Sequence, residues 1–345
     1  MKNRARMAVV VWLVCFSAAA AVFADQWVSN VGIREFSVDF PPTHSKIKGL
    51  LWYPTQNRSE TIKLGPFEVD VAKNAAIKTG KYGLIVISHG SRGSHAGHRD
   101  TAIYLAKRGY LVVSPLHPKN NYLDDSAGRT VENWMNRPRH ISTILDWMLA
   151  ASEYTDFIDS NKIGIVGFSA GGYTALALAG GVPDTTNITL HCSDHKKEDV
   201  QFCGAPVLYY KFKKMFSSQN VLNNLHDPRI KAVVLLAPLG IVFNDAQSLS
   251  GVTVPIRIYR AEKDDVLHYP YHAELIRQRL PVKPEYVVVK NAGHYSFLSP
   301  FPESFKQNGG VVTKDPKGFD RENFHTLLNQ EIFEFLSTSL QAISK

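Results

Sequence analysis

The sequence predicts an α/β fold with a mostly parallel central sheet covered by helices on both faces. Three observations carry that expectation. Short, near-continuous apolar runs rich in Val, Ile and Leu recur along the chain, the pattern of strands buried on both sides. Segments of helical period alternate with them. One such run, Lys162-Ile163-Gly164-Ile165-Val166, passes directly into Gly167-Phe168-Ser169-Ala170-Gly171 and then into a small-residue, helix-forming stretch.

In chain order, residues 31–40 and 47–53 read as an antiparallel pair. Leu84–Ser88, Leu111–Ser114, Ile163–Gly167, Ala232–Leu236, Ile256–Tyr259 and Tyr286–Val289 read as the parallel core. Helices are expected over Asp100–Arg108, Asn133–Ala151, Gly171–Ala179, Tyr269–Arg279 and Phe324–Leu340. Residues 183–227 interrupt the alternation and read as a cap inserted after the helix that follows Ser169. Within them Leu208, Phe212, Met215 and Phe216 share one helical face and Lys211, Lys213 and Lys214 the other. That pattern suits a cap helix packed on the body, with weak contact to a membrane surface as the alternative.

Gly-x-Ser-x-Gly between a strand and a helix is the pattern of a nucleophile elbow. The turn is so sharp that the serine takes strained backbone angles and only small neighbours fit beside it. The strain lifts the hydroxyl out of the sheet toward a base. A base and an acid are then required, and on such a sheet they follow the serine in the order acid, then histidine. Ala261-Glu262-Lys263-Asp264-Asp265 follows one expected strand, and Asn291-Ala292-Gly293-His294 follows the next. His294 is therefore the expected base among 13 histidines. Asp264 is the expected acid, with the adjacent Asp265 as its rival. His268 and His272 lie too near the acid strand to act as base but could line the site, and His325 reads as structural. The run Ser88-His89-Gly90-Ser91 after an earlier strand stands where such sites draw an oxyanion donor, so the amides of Ser91 and Ala170 are the expected pair.

These pieces resemble the α/β-hydrolase superfamily, and more narrowly the predicted dienelactone hydrolases, a branch close to platelet-activating-factor acetylhydrolases. The likeness rests on Val86-Ile87-Ser88-His89-Gly90, Asn136-Arg137-Pro138-Arg139-His140-Ile141, Gly167-Phe168-Ser169-Ala170-Gly171-Gly172, Ala261-Glu262-Lys263-Asp264 and Ala292-Gly293-His294-Tyr295-Ser296-Phe297-Leu298. It implies a serine esterase or lipase-like hydrolase with Ser169, Asp264 and His294 as its triad. The chain departs from the pattern at His140, where an acidic residue is usual, and at Ala261, where glycine is common. True dienelactone hydrolases use a cysteine nucleophile, so Ser169 argues against lactone opening of that narrow type.

A basic start, Met1-Lys2-Asn3-Arg4-Ala5-Arg6, precedes an apolar run to about Phe23 and then Ala24-Asp25. This reads as a secretory signal over residues 1–24, with an uncleaved anchor as the rival, and leaves a hydrolase domain over 25–345. Val14 before Cys15 argues against a lipoprotein cleavage site. Losing Lys2, Arg4 and Arg6 and no acid lowers the formal charge from +8 to +5. No basic cluster interleaved with aromatics marks a nucleic-acid face. The remaining pair, Cys192 and Cys203, reads as a disulfide in an exported chain. A zinc site with His191 and His195 is the alternative, and no other metal-ligand spacing occurs. No cofactor is implied. The reading is an exported serine hydrolase of small-molecule or lipid esters, periplasmic or secreted. Amide or peptide cleavage by the same triad, and a non-catalytic binding protein on the same fold, are the other readings.

Overall fold

The structure is a computed structural model that describes residues 28–150, 153–204 and 221–342. The signal and its cleavage site, Cys15, and the amphipathic stretch from Leu208 to Phe216 lie outside the described residues.

Among the described residues ten strands form one sheet, in the order β10-β9-β8-β7-β5-β6-β2-β1-β4-β3. They are β1 (Asn30–Phe40), β2 (Ser45–Thr55), β3 (Glu60–Leu64), β4 (Phe67–Lys73), β5 (Tyr82–Ser88), β6 (Tyr110–Leu116), β7 (Ile158–Phe168), β8 (Ala232–Leu236), β9 (Ile256–Ala261) and β10 (Glu285–Val289). From β6 through β10 every neighbouring pair is parallel. β1 and β2 pair antiparallel from Asn30↔Thr55 to Phe40↔Ser45, and β2 continues antiparallel onto β6.

The apolar runs are continuous because both sheet faces are covered. Along β5, Leu84 and Val86 join one core cluster while Ile85 and Ile87 join the other. Val233 and Leu235 on β8 divide from Val234 and Leu236 in the same way. Helices α2 (Val131–Ala150), α3 (Ala170–Leu178) and α6 (Ala273–Arg279) cover the first face. Helices α1 (Arg99–Lys107) and α7 (Arg321–Gln341) cover the second. The period of two that divides a strand's side chains between faces thus feeds two cores instead of a core and solvent.

The chain runs from β5 through α1 to β6, then crosses back through α2 to β7 on the other side of β5. The direction of winding reverses there. Loops after β5 and β7 diverge at such a point and leave a crevice at the strands' carboxyl ends. The loops after β9 and β10 open on the same edge.

Three elements differ from the sequence reading. The hairpin β3–β4 was not expected, although Phe67, Val69 and Val71 are buried and Glu68 and Asp70 exposed in plain alternation around the Gly65 turn. β7 begins at Ile158, five residues before the predicted start, because its polar opening Asp159-Ser160-Asn161 hides the strand signal. Helix α6 starts at Ala273 instead of Tyr269. The amide of Tyr271 donates to His268 O at 3.0 Å, so a turn occupies the intervening stretch.

Between α3 and β8 the described residues include α4 (Thr186–Asp194) and α5 (Val200–Cys203), joined by a disulfide between Cys192 and Cys203 with Cα atoms 5.3 Å apart. The link closes a short loop, which by chain entropy contributes about 3 kcal/mol at most. Intact mass of the unreduced protein should show both thiols oxidised. Replacing both by Ser should expose residues 195–204 to protease well before the sheet unfolds. Equal proteolysis of parent and variant would contradict that local role.

Candidate active site

Ser169 joins β7 to α3 with φ 54° and ψ −116°. An L-residue held there carries of order 1–3 kcal/mol of strain. Backbone bonds hold it, three of them at 3.0 Å or less. Its amide donates to Leu236 O at 2.9 Å, and its carbonyl accepts from Gly172 at 2.9 Å and Leu239 at 3.0 Å. The flanking glycines are a matter of space. A Cβ on Gly167 would lie 2.3 Å from Gly171 O, and one on Gly171 would lie 1.9 Å from Ser88 O.

His294 opens a 3-10 turn after β10 and is buried. Its Nε2 lies 3.1 Å from Ser169 Oγ, and its Nδ1 lies 3.0 and 2.9 Å from the two carboxylate oxygens of Asp264. An ionised carboxylate can only accept, so Nδ1 carries the proton and Nε2 presents its lone pair to the serine hydroxyl. Asp264 is buried and further fixed by two backbone amides. Asp265 is exposed beside it, and Glu262 instead takes Lys290 and the amide of Asn291. Of the three loop carboxylates, only Asp264 reaches the imidazole.

Gly90-Ser91-Arg92-Gly93 forms a turn closed by Gly93 N–H on Gly90 O at 3.1 Å, with Arg92 at φ 59°. His89 Nε2 accepts the amide of His117 at 3.1 Å, so its Nδ1–H donates to Gly90 O at 2.6 Å. Ala170 provides the first amide of α3, one of those with no carbonyl partner inside the helix.

Beneath this turn lies a buried polar group that sequence reasoning did not find. Arg137, on α2, is fully buried. Nε donates to Thr174 Oγ1 at 3.1 Å, Nη1 to Asn120 Oδ1 at 2.7 Å, and Nη2 to Ser88 Oγ at 3.4 Å and to His89 O. His117 Nε2 meets Ser88 Oγ at 2.9 Å, and its Nδ1 lies 3.2 Å from His140 Nδ1. Burial pulls Arg137 down to about 9 and His140 to about 3, and holds His89 and His117 well below the usual imidazole range. Arg137 and His140 stand out in sequence only as part of the Arg-Pro segment. Asn120 and His117 carry no local signal.

His272 does not line the site. It is buried behind it, with Nε2 3.0 Å from Asp199 Oδ2, while His191 Nε2 approaches the same oxygen at 2.9 Å. Burial opposes the charge on Asp199, but the two imidazoles outweigh it and hold the carboxyl at about 2. The three ligand-type atoms lie within 4.8 Å of one another, close enough to suit a metal. The amide of Gly240 donates to His272 Nδ1 at 3.3 Å, however. That leaves the proton on Nε2, which therefore donates to Asp199 and has no lone pair for an ion. His195 points instead to Glu198. His325 is buried and donates to Ser296 O at 3.0 Å.

A cleft of about 490 Å³ opens beside the acid loop, between Val200 and Gln201 on one side and Pro238, Leu267 and His268 on the other. It borders Asp264 but not Ser169 or His294.

The model of the dienelactone hydrolase family matches residues 71–209, which include the turn after β5 and Ser169 but not Asp264 or His294. No curated protein matches the chain. Among solved structures, a ferulic acid esterase from Streptomyces cinnamoneus aligns with a TM-score of 0.61 at 15% identity, covering 91% of this chain and 90% of that one. The protein thus has the α/β-hydrolase fold, and its likeness to the dienelactone hydrolase family spans the segment that carries the elbow.

The buried histidines make stability depend on acid. His98 and His140 are held at about 3 and His325 at about 4, chiefly by burial. Below about pH 6.5 the unfolded chain takes up protons that the native state refuses, so stability is complete above that pH and falls below it. Each such histidine costs about 1.4 kcal/mol per pH unit in that window. Urea unfolding at about pH 7.5 and about pH 5.5 measures the loss. Equal stabilities at the two pH values would contradict the neutral, buried assignment.

Proposed function

We propose that the protein is an exported serine hydrolase that cleaves carboxylic esters through an acyl-enzyme, with Ser169 as nucleophile, His294 as base and Asp264 as acid. The observation that carries this reading is the bonded row Asp264–His294–Ser169 at the crevice, with hydroxyl, imidazole and carboxylate each within about 3 Å of the next. The ferulic acid esterase with the same fold and the family likeness over residues 71–209 support an ester as substrate.

The steps follow from the proton positions. As Ser169 Oγ bonds to the ester carbon, its proton passes to His294 Nε2. The carbonyl electron pair moves onto oxygen, which the amides of Ala170 and Ser91 receive. Asp264 stabilises the imidazolium without taking its proton. Collapse of the tetrahedral adduct breaks the bond to the alkoxy oxygen, which leaves with the proton from His294. Water then repeats the sequence on the acyl-serine, with His294 again as base, and releases the acid. A small-molecule or lipid ester fits this chemistry, and no cofactor enters it.

Export is supported by the cysteine pair and by the leader-like opening of the chain. Among the described residues no helix is long and apolar enough to cross a membrane. The segment 183–227, which carries the disulfide, is read as a cap insertion after the helix that follows Ser169.

Ser169→Ala should fold like the parent and hydrolyse p-nitrophenyl acetate at background, since loss of a triad serine can approach 10⁶-fold in turnover. Hydrolysis at the parent rate would overturn the assignment.

Asp264→Asn should cost roughly 10⁴ in turnover by favouring the wrong imidazole tautomer. Asp265→Asn should change little, because Asp265 faces solvent. The reverse ranking would move the acid to Asp265.

A further inference from the structure

Arg137 is a buried cation surrounded by neutral acceptors. The nearest carboxylate in its network, Asp125, is reached only through the side-chain amide of Asn120, at 2.7 Å from Oδ1. A cation so placed costs stability unless its bonds are well made. Its contacts divide between two elements. On one side Nε donates to Thr174 Oγ1, which itself donates to Ala170 O at 3.0 Å, in the first turn of α3. On the other side Nη2 donates to His89 O. The His89 ring, through Nδ1–H, then holds Gly90 O.

Gly90 O belongs to the Gly90–Ser91 peptide. A trans peptide is planar, with its carbonyl and amide hydrogen on opposite edges. His89 and Gly93 hold the carbonyl edge, so the Ser91 N–H points away from both. One guanidinium therefore ties together the two segments whose amides would receive the oxyanion.

We propose that Arg137 is a positioning residue that fixes the spacing and aim of the Ala170 and Ser91 amides, acting through Thr174 on one side and His89 on the other. The inference rests on the ester-hydrolase reading. Its expected signature is catalytic, because donors aimed at developing charge act in the transition state more than in substrate binding. A misplacement of about 1 Å can cost about 10²-fold in rate.

The test compares the parent with Arg137→Met, Arg137→Lys, Thr174→Val and Thr174→Ser on a p-nitrophenyl ester. It also measures inhibition by an alkyl boronic acid, whose serine adduct is a tetrahedral anion. Arg137→Met should lower kcat about 10- to 100-fold with KM within about threefold, and weaken boronate inhibition by a similar factor. Arg137→Lys keeps the charge but loses the fork, and should recover only part. Thr174→Val should lower kcat about tenfold, and Thr174→Ser, which keeps the hydroxyl, should stay within about twofold.

A folded Arg137→Met with parent kcat would overturn the proposal. So would a fall in kcat with boronate inhibition unchanged. Should Arg137→Met fail to fold, Thr174→Val decides, and parent kcat in that variant overturns the proposal. If the parent itself hydrolyses no ester and ignores the boronate, the hydrolase reading falls and this inference with it. An active parent with unchanged variants sinks this inference alone.

Discussion

Ser169 sits at φ 54° and ψ −116°, and the arrangement around the crevice follows from holding it there. Strain of that size persists only where the surroundings over-determine it. Here β8 contributes Leu236 O, the loop after β8 contributes the amide of Leu239, and Gly167 and Gly171 leave room where any Cβ would strike backbone. The same turn puts Ser88 O within 1.9 Å of where a Gly171 Cβ would be, so β5 and the start of α3 are in direct backbone contact. The serine hydroxyl, the first amide of α3 and the turn after β5 are thereby brought to one point. This is the general route by which a sheet edge becomes a reactive site: rigid strands fix the ends, and short loops carry the chemistry.

The sheet's winding does the remaining placement. Reversal between β6 and β7 opens the crevice, and the parallel run from β7 to β10 delivers Asp264 and His294 to the same edge from separate loops. Neither loop is long, and each polar side chain is bonded more than once. Asp264 accepts both the imidazole and two backbone amides, while His294 is buried with a fixed tautomer. On the proposed reading the site is therefore assembled before any substrate arrives, which is the condition for electrostatic stabilisation without reorganisation.

Much of this was legible in the sequence, for physical reasons that differ by element. The parallel strands could be read because burial on both faces makes them continuously apolar. Ser169 could be read because the steric demands of the elbow leave glycines at fixed spacing. Asp264 and His294 could be read because chain order and strand ends constrain them. The β3–β4 hairpin was missed although its alternation is visible, since it lies outside the repeating βα pattern. The Arg137 group was not legible as a network. Its members come from β5, from the loop after β6 and from helices α2 and α3, and no local spacing links Ser88, Asn120, Arg137 and Thr174. His191, Asp199 and His272 are equally scattered. Asp199 has one partner, His191, eight residues before it, but the other, His272, lies seventy-three residues further on.

On the proposed reading, backbone strain and the Asp264–His294 pair together make one hydroxyl of this chain reactive. Treating the folded protein with a fluorophosphonate probe and mapping the adduct by peptide mass spectrometry tests it most directly. A single stoichiometric adduct is expected on Ser169, abolished by prior unfolding and by His294→Ala. No adduct on the native protein, or an adduct on another residue with Ser169 unmodified, would contradict it.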